Sequence, residues 1–151
     1  MATRGFEFAY MIDGTNASPV IMDWPLAAHQ DVNPGDALTI DSAGRGTVVG
    51  TATTEVFAVA QEDTGGAVAT AGTNYKVAIV TRNQVWRCSM DASSTAVKIG
   101  YEKALQFADA NTIDADGTTS GAMTPFEVTD TDDEANIKAY VVFNDTTFGN
   151  A

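Results

Sequence analysis

Asn33-Pro34-Gly35-Asp36-Ala37-Leu38-Thr39-Ile40 opens the most informative stretch of the chain, which runs on to Asp63. Pro and Gly together punctuate a turn, and the short apolar run Ala37-Leu38-Thr39-Ile40 then reads as a strand. A turn broken by Gly44 and Gly46 follows, and then Glu55-Val56-Phe57-Ala58-Val59-Ala60-Gln61-Glu62-Asp63. Nothing in the stretch is chemically reactive. It is a piece of β-sheet scaffold.

The same texture continues in both directions. Gly or Asn-Asp clusters interrupt a Thr-, Val- and Ala-rich chain every eight to twelve residues or so, the spacing of short strands in a sandwich or barrel. Phe6, Phe8, Tyr10 and Ile12 fall on one face of an extended stretch, with Glu7 opposite. Trp86, Cys88 and Met90 share a face, as do Ala139, Val141 and Phe143. The pattern predicts strands near 6–12, 19–23, 37–41, 46–50, 55–61, 75–81, 84–90, 96–100, 124–128 and 137–144. Thr81-Arg82-Asn83-Gln84 reads as a hairpin turn, with Asn83 suited to positive φ. The best helix signal is Tyr101 to Ala108, where Tyr101, Leu105 and Ala108 could share a face. Residues 63–74 read as a flexible turn and 109–123 as an exposed loop. No internal repeat or linker divides the chain, so 1–151 is read as one domain.

At 151 residues the chain can support a core without staples. Cys88 is the only cysteine and His29 the only histidine, which excludes an intrachain disulfide and gives too few soft ligands for a structural zinc site. The start, Met1 to Glu7, lacks a signal-peptide h-region, and no apolar run approaches the ~20 residues of a membrane span. Synthesis in a cytoplasm, with no membrane partner, is the expectation. Eight Lys and Arg against twenty Asp and Glu give a net charge of −12, the wrong sign for a nucleic-acid binder. Residues 109–151 hold nine acids and one base, a segment charge of −8.

Reactive candidates fail on spacing. Asp109, Asn111, Asp114 and Asp116 with Gly117 invite a calcium reading, but counting from Asp109 puts Ile113, Asp114 and Ser120 at positions 5, 6 and 12 of an EF-hand loop. A solvated acidic loop fits better, and the same holds for Thr129 to Glu134. His29 has no Gly-x-Ser-x-Gly elbow to serve, and Cys88 reads as a small buried hydrophobe. No catalytic residue, metal ligand or cofactor is assigned.

The order of the Asn33–Asp63 stretch, continued by Val77-Ala78-Ile79-Val80 and Val85-Trp86, resembles the core of the tailed-phage capsid cement proteins, or head decoration proteins. The resemblance is close over the middle third of the chain. It implies a non-enzymatic virion protein on the outer capsid surface, with the major capsid protein and its own copies, as a homotrimer, for partners. Its fold expectation is all-β: a single barrel-like domain, β-tulip or SH3-like, with a small helical insert and an extended N-terminal arm over residues 1–12. Phe6, Phe8 and Tyr10 are read either as an edge strand packing inward or as an arm pairing with a neighbouring chain. Trp24 and Leu26, in a Pro-marked loop after Val20-Ile21-Met22, form a second candidate contact. Two alternatives stand beside this. One is a fibre or tail module of the virion surface. The other is a trimeric nucleotide hydrolase of the dUTPase type, which lacks here its Gly-x-x-Asp-x-x-Tyr stretch and the Arg of its C-terminal arm.

Overall fold

The structure is a computed structural model and describes residues 5–91, 105–114, 121–129 and 138–148, the side chains of 127–129 excepted. All regular structure among these residues is β. In chain order the strands are β1 (Glu7–Met11), β2 (Ile21–Pro25), β3 (Ala37–Ile40), β4 (Gly46–Val48), β5 (Glu55–Val56), β6 (Ala58–Ala60) and β7 (Asn74–Ile79). They continue with β8 (Gln84–Ser89), β9 (Gln106–Asp109), β10 (Thr112–Asp114), β11 (Met123–Thr129), β12 (Lys138–Phe143) and β13 (Asp145–Thr146). A four-stranded sheet runs β1-β8-β12-β11 and a five-stranded sheet β2-β7-β6-β3-β4. The ladders within both are antiparallel. No closed barrel is found among the described residues, although an isolated parallel bridge from Leu26 to Gly46 joins the end of β2 to β4, the other edge of the five-stranded sheet.

Two cores explain the sequence pattern. The first lies between the sheets, with Trp86, Cys88, Ala139, Val141 and Phe143 facing Ala37, Val59 and Ala78. The alternation read in β8 and β12 is this face. The second lies on the far side of the five-stranded sheet, where Leu26, Val32, Leu38, Phe57, Ala58, Ala60 and Val77 pack beneath Val68. The five-stranded sheet is therefore covered on both sides, and β6 reads apolar without alternation because each of its residues enters one core or the other. The segment 63–74, expected to be a flexible turn, seats Val68 in the second core at 3% exposure. Backbone bonds from His29 to Val68 and from Val68 to Gln30 hold it there.

The opening stretch ties these layers together. Asp36 N–H bonds the Asn33 carbonyl at 3.1 Å, and Gly35 adopts φ 93°, so Pro34-Gly35 is a turn that needs glycine at its second corner. Against that turn lies Gly5, where a Cβ would stand 2.8 Å from the Gly35 Cα. Phe6 N–H then donates to the Gly35 carbonyl at 2.8 Å, and the Phe6 ring enters the first core at 2% exposure.

Several expectations are corrected. The helix expected from Tyr101 to Ala108 is not seen: Gln106–Asp109 is β9, paired with β10, and residues 101–104 lie outside the described residues. Alternation places Phe107 and Ile113 in the first core, and that burial overrides a weak helical period. The loop expected over 109–123 is accordingly a strand at Thr112–Asp114, with 115–120 outside the described residues. Thr81–Gln84 is a turn but not a hairpin, since β7 pairs in one sheet and β8 in the other. Gln84 fixes this corner. Its buried amide accepts from Thr81 N–H at 2.9 Å and Trp86 Nε1 at 3.1 Å, and donates to the Ile79 carbonyl at 3.1 Å. Asn83 keeps negative φ; among the described residues His29, at 68°, is the non-glycine residue with positive φ. The run 55–61 is split at Phe57, and β13 joins β5 in a parallel pair. The strand expected at 96–100 lies outside the described residues.

The N-terminal arm is corrected as well. From Gly5 onward the segment is integral: β1 pairs with β8 through Glu7↔Arg87, Phe8↔Trp86, Tyr10↔Val85 and Met11↔Gln84. Phe6 meets Phe107 edge-on at 5.7 Å and Phe143 at 5.3 Å. Burial of Phe6 is worth roughly 1.5–3 kcal/mol to the fold, which an arm detached from the domain would forgo.

Candidate interaction surface

The described residues hold no group of three or more His, Cys, Asp or Glu placed to bind a metal ion. Cys88 is buried, and desolvation, with Asp109 nearby, pushes its thiol pKa far above the ordinary range. His29 is exposed on a loop. No helix among the described residues is long and apolar enough to cross a membrane.

The candidate contact residues separate by strand. Phe6 and Leu26 are core residues, 2% and 1% exposed, and are not presented to a partner. Phe8 is half-buried and packs edge-on against Trp86 at 5.7 Å. Trp24 is also engaged internally, 4.7 Å from Phe57, with its Nε1 donating to the Gly44 carbonyl at 2.9 Å. Of the five residues, Tyr10 is the exposed one. It lies 6.3 Å from both Phe126 and Tyr140 on the outer face of the four-stranded sheet. Within that face the Arg87 guanidinium pairs with the Glu7 carboxylate, which, with Tyr140, raises the arginine's pKa further and keeps it charged.

Besides Tyr10, the large exposed apolar residues among those described are Ile12, Val20, Ile21 and Met22, at 48, 63, 52 and 42% exposure, with Phe126 and Phe148. Ile12, Val20 and Ile21 line the open side of the sandwich between the edges β1 and β2, while Met22, opposite Val77, turns to the face of the second core. A groove of about 730 Å³ there is walled by Met11, Ile12, Val20, Ile79 and Arg82. A second, of about 420 Å³, opens between the sheets and is lined by Phe6, Phe8, Trp86, Pro19, Ile21 and Ala78. The signal was present in the sequence. Three consecutive apolar residues, Val20-Ile21-Met22, between Pro19 and Asp23 cannot all point into one core from an extended strand.

What this arrangement defines among the described residues is an all-β protein with two principal antiparallel sheets and two small ones, and exposed apolar residues about the β2 edge. No family model, no curated protein and no solved structure matches the chain.

Proposed function

We propose that the protein is a capsid cement or decoration protein, which binds the outer surface of an assembled tailed-phage shell and stabilises it. The observation that carries this reading is the strip of exposed apolar residues Val20, Ile21 and Met22 along the β2 edge, with exposed Ile12 across the groove, on a chain of net charge −12. Such a strip is a solubility liability on a free monomer and is explained by burial against a partner. The acidic surface disfavours nucleic acid and suits the outside of a DNA-filled container. The resemblance supplies the identity of the partner, the major capsid protein, and the expectation of a homotrimer with a barrel-like domain.

The mechanism is adhesion. A ligand that binds only the assembled shell stabilises it by mass action. Each copy bridging neighbouring shell subunits raises the force needed to part them. Co-sedimentation with the empty capsids of the virus that encodes the chain tests the reading. Saturable binding that persists in high salt is expected, since apolar contact is not screened. A chain left in the supernatant, or one that hydrolyses nucleoside triphosphates, would overturn it.

A further inference from the structure

We infer that the free edge of β2 is a strand-pairing site, and that its occupant is an extended segment of a positively charged partner protein. The two sheets have four edges, β1, β11, β2 and β4. Sheet edges template unwanted pairing unless they are blunted. β1 is blunted by a register shift between Phe8 and Tyr10, and β11 by Pro125 and a shift between Pro125 and Glu127. β4 is only three residues long. β4 takes up the β2 edge just past Pro25, where Leu26 bridges Gly46, but over Ile21–Trp24 β2 carries none of these devices and its five-residue ladder with β7 is in unbroken register.

The side of β2 facing away from β7 can be assigned. Ile79 N–H donates to the Val20 carbonyl at 2.9 Å and Leu26 N–H to the Thr73 carbonyl at 3.0 Å. Alternation then directs the backbone groups of Val20, Met22 and Trp24 toward β7, and those of Ile21 and Asp23 outward. An added antiparallel or parallel strand would bond these groups, with Val20 and Met22 below it on one face and Ile21 on the other. Charge selects the occupant. A second copy would bring another −12, whereas a strand bearing Lys or Arg suits the chain's acidic balance and would compete with Lys76, 3.2 Å away, for the well-exposed Asp23 carboxylate.

The test uses the whole chain and a blocked nine-residue peptide of alternating Lys and Val, with a Glu-Val peptide of the same length as control. Amide exchange of the free protein should show Ile21 and Asp23 unprotected beside protected Met22, and the Lys-Val peptide should protect both. Ile21→Pro removes only an outward N–H, so the β2–β7 ladder survives, and affinity should fall about tenfold or more. Ile21→Lys, at a half-exposed site, should weaken binding by charge and serves if the proline variant does not fold. Equal binding of the Glu-Val peptide, full-strength binding by both variants, or no binding by the Lys-Val peptide would overturn the inference. So would a dimer that Ile21→Lys dissolves, or protection of Ile21 and Asp23 in the free monomer. The inference concerns this edge alone. Capsid co-sedimentation that survives Ile21→Lys would sink it and leave the proposed function standing.

Discussion

Asn111 Nδ2 donates to the Asp36 carboxylate at 3.2 Å, joining the β9–β10 turn to the turn that launches β3 across 75 residues of sequence. The other carboxylate oxygen of Asp36 accepts from Asn33 N–H at 2.9 Å. Around this residue, Gly5 N–H bonds the Asn111 carbonyl and Ala37 N–H the Ala110 carbonyl, so the start of the chain, the middle motif and the late hairpin meet at one buried carboxylate.

Replacing Asp36 with Ala leaves the Asn33 amide and the Asn111 side chain short of a partner. A loss of about 1–3 kcal/mol in urea unfolding is expected.

The same residue carries a pH signature. Burial is the largest influence on Asp36 and raises its pKa above 3.8, with Asp109 and Asp31 adding to it, while the bonds from Asn33 and Asn111 oppose it. The folded state therefore holds this proton more tightly than the unfolded chain. The contribution to stability is fully present below about pH 3.8 and is lost as pH rises through the higher folded value. Asp36→Asn should lack this component. The difference between the two unfolding-versus-pH curves measures it, and parallel curves would refute it.

Deleting residues 1–12 should abolish cooperative unfolding, because it removes Phe6 from the first core and β1 from β8. Phe6→Ala alone should cost roughly 3–5 kcal/mol. A truncated chain that keeps its thermal transition would return the segment to the status of an arm.

Gly5→Ala should be more damaging than Gly14→Ala. Both sites have positive φ, but a Cβ at Gly14 meets nothing within 4 Å, whereas at Gly5 it meets the Gly35 backbone. Backbone strain of about 1–3 kcal/mol applies to each, and the clash at Gly5 adds to it. Equal melting temperatures for the two variants would contradict the close approach.

Cys88 should resist a thiol reagent at pH 8 in the folded protein and react fully in denaturant, since burial keeps it in the thiol form. Rapid native labelling would place it at the surface.

Local pattern was enough to read the all-β class and the location of nearly every strand from the Pro34-Gly35 turn to Val80, because period-two burial and Gly-Pro punctuation are local properties. It also determined which faces of β8 and β12 are buried, through Trp86-x-Cys88 and Ala139-x-Val141-x-Phe143. Only the tertiary structure decided which strands pair. Thr81–Gln84 looks like a hairpin turn locally, yet Gln84 bridges Thr81, Ile79 and Trp86 and sends the chain from one sheet to the other. Only the tertiary structure placed Phe6 inside and left Ile21 outside, since both are apolar residues in extended segments. The difference lies in what covers them: Phe107 and Phe143 close over Phe6, while β2 lies at the edge of its sheet and meets β4 only past its end, where Leu26 bridges Gly46. Pairing partners and edges are non-local, and a chain read residue by residue carries no record of where a sheet stops.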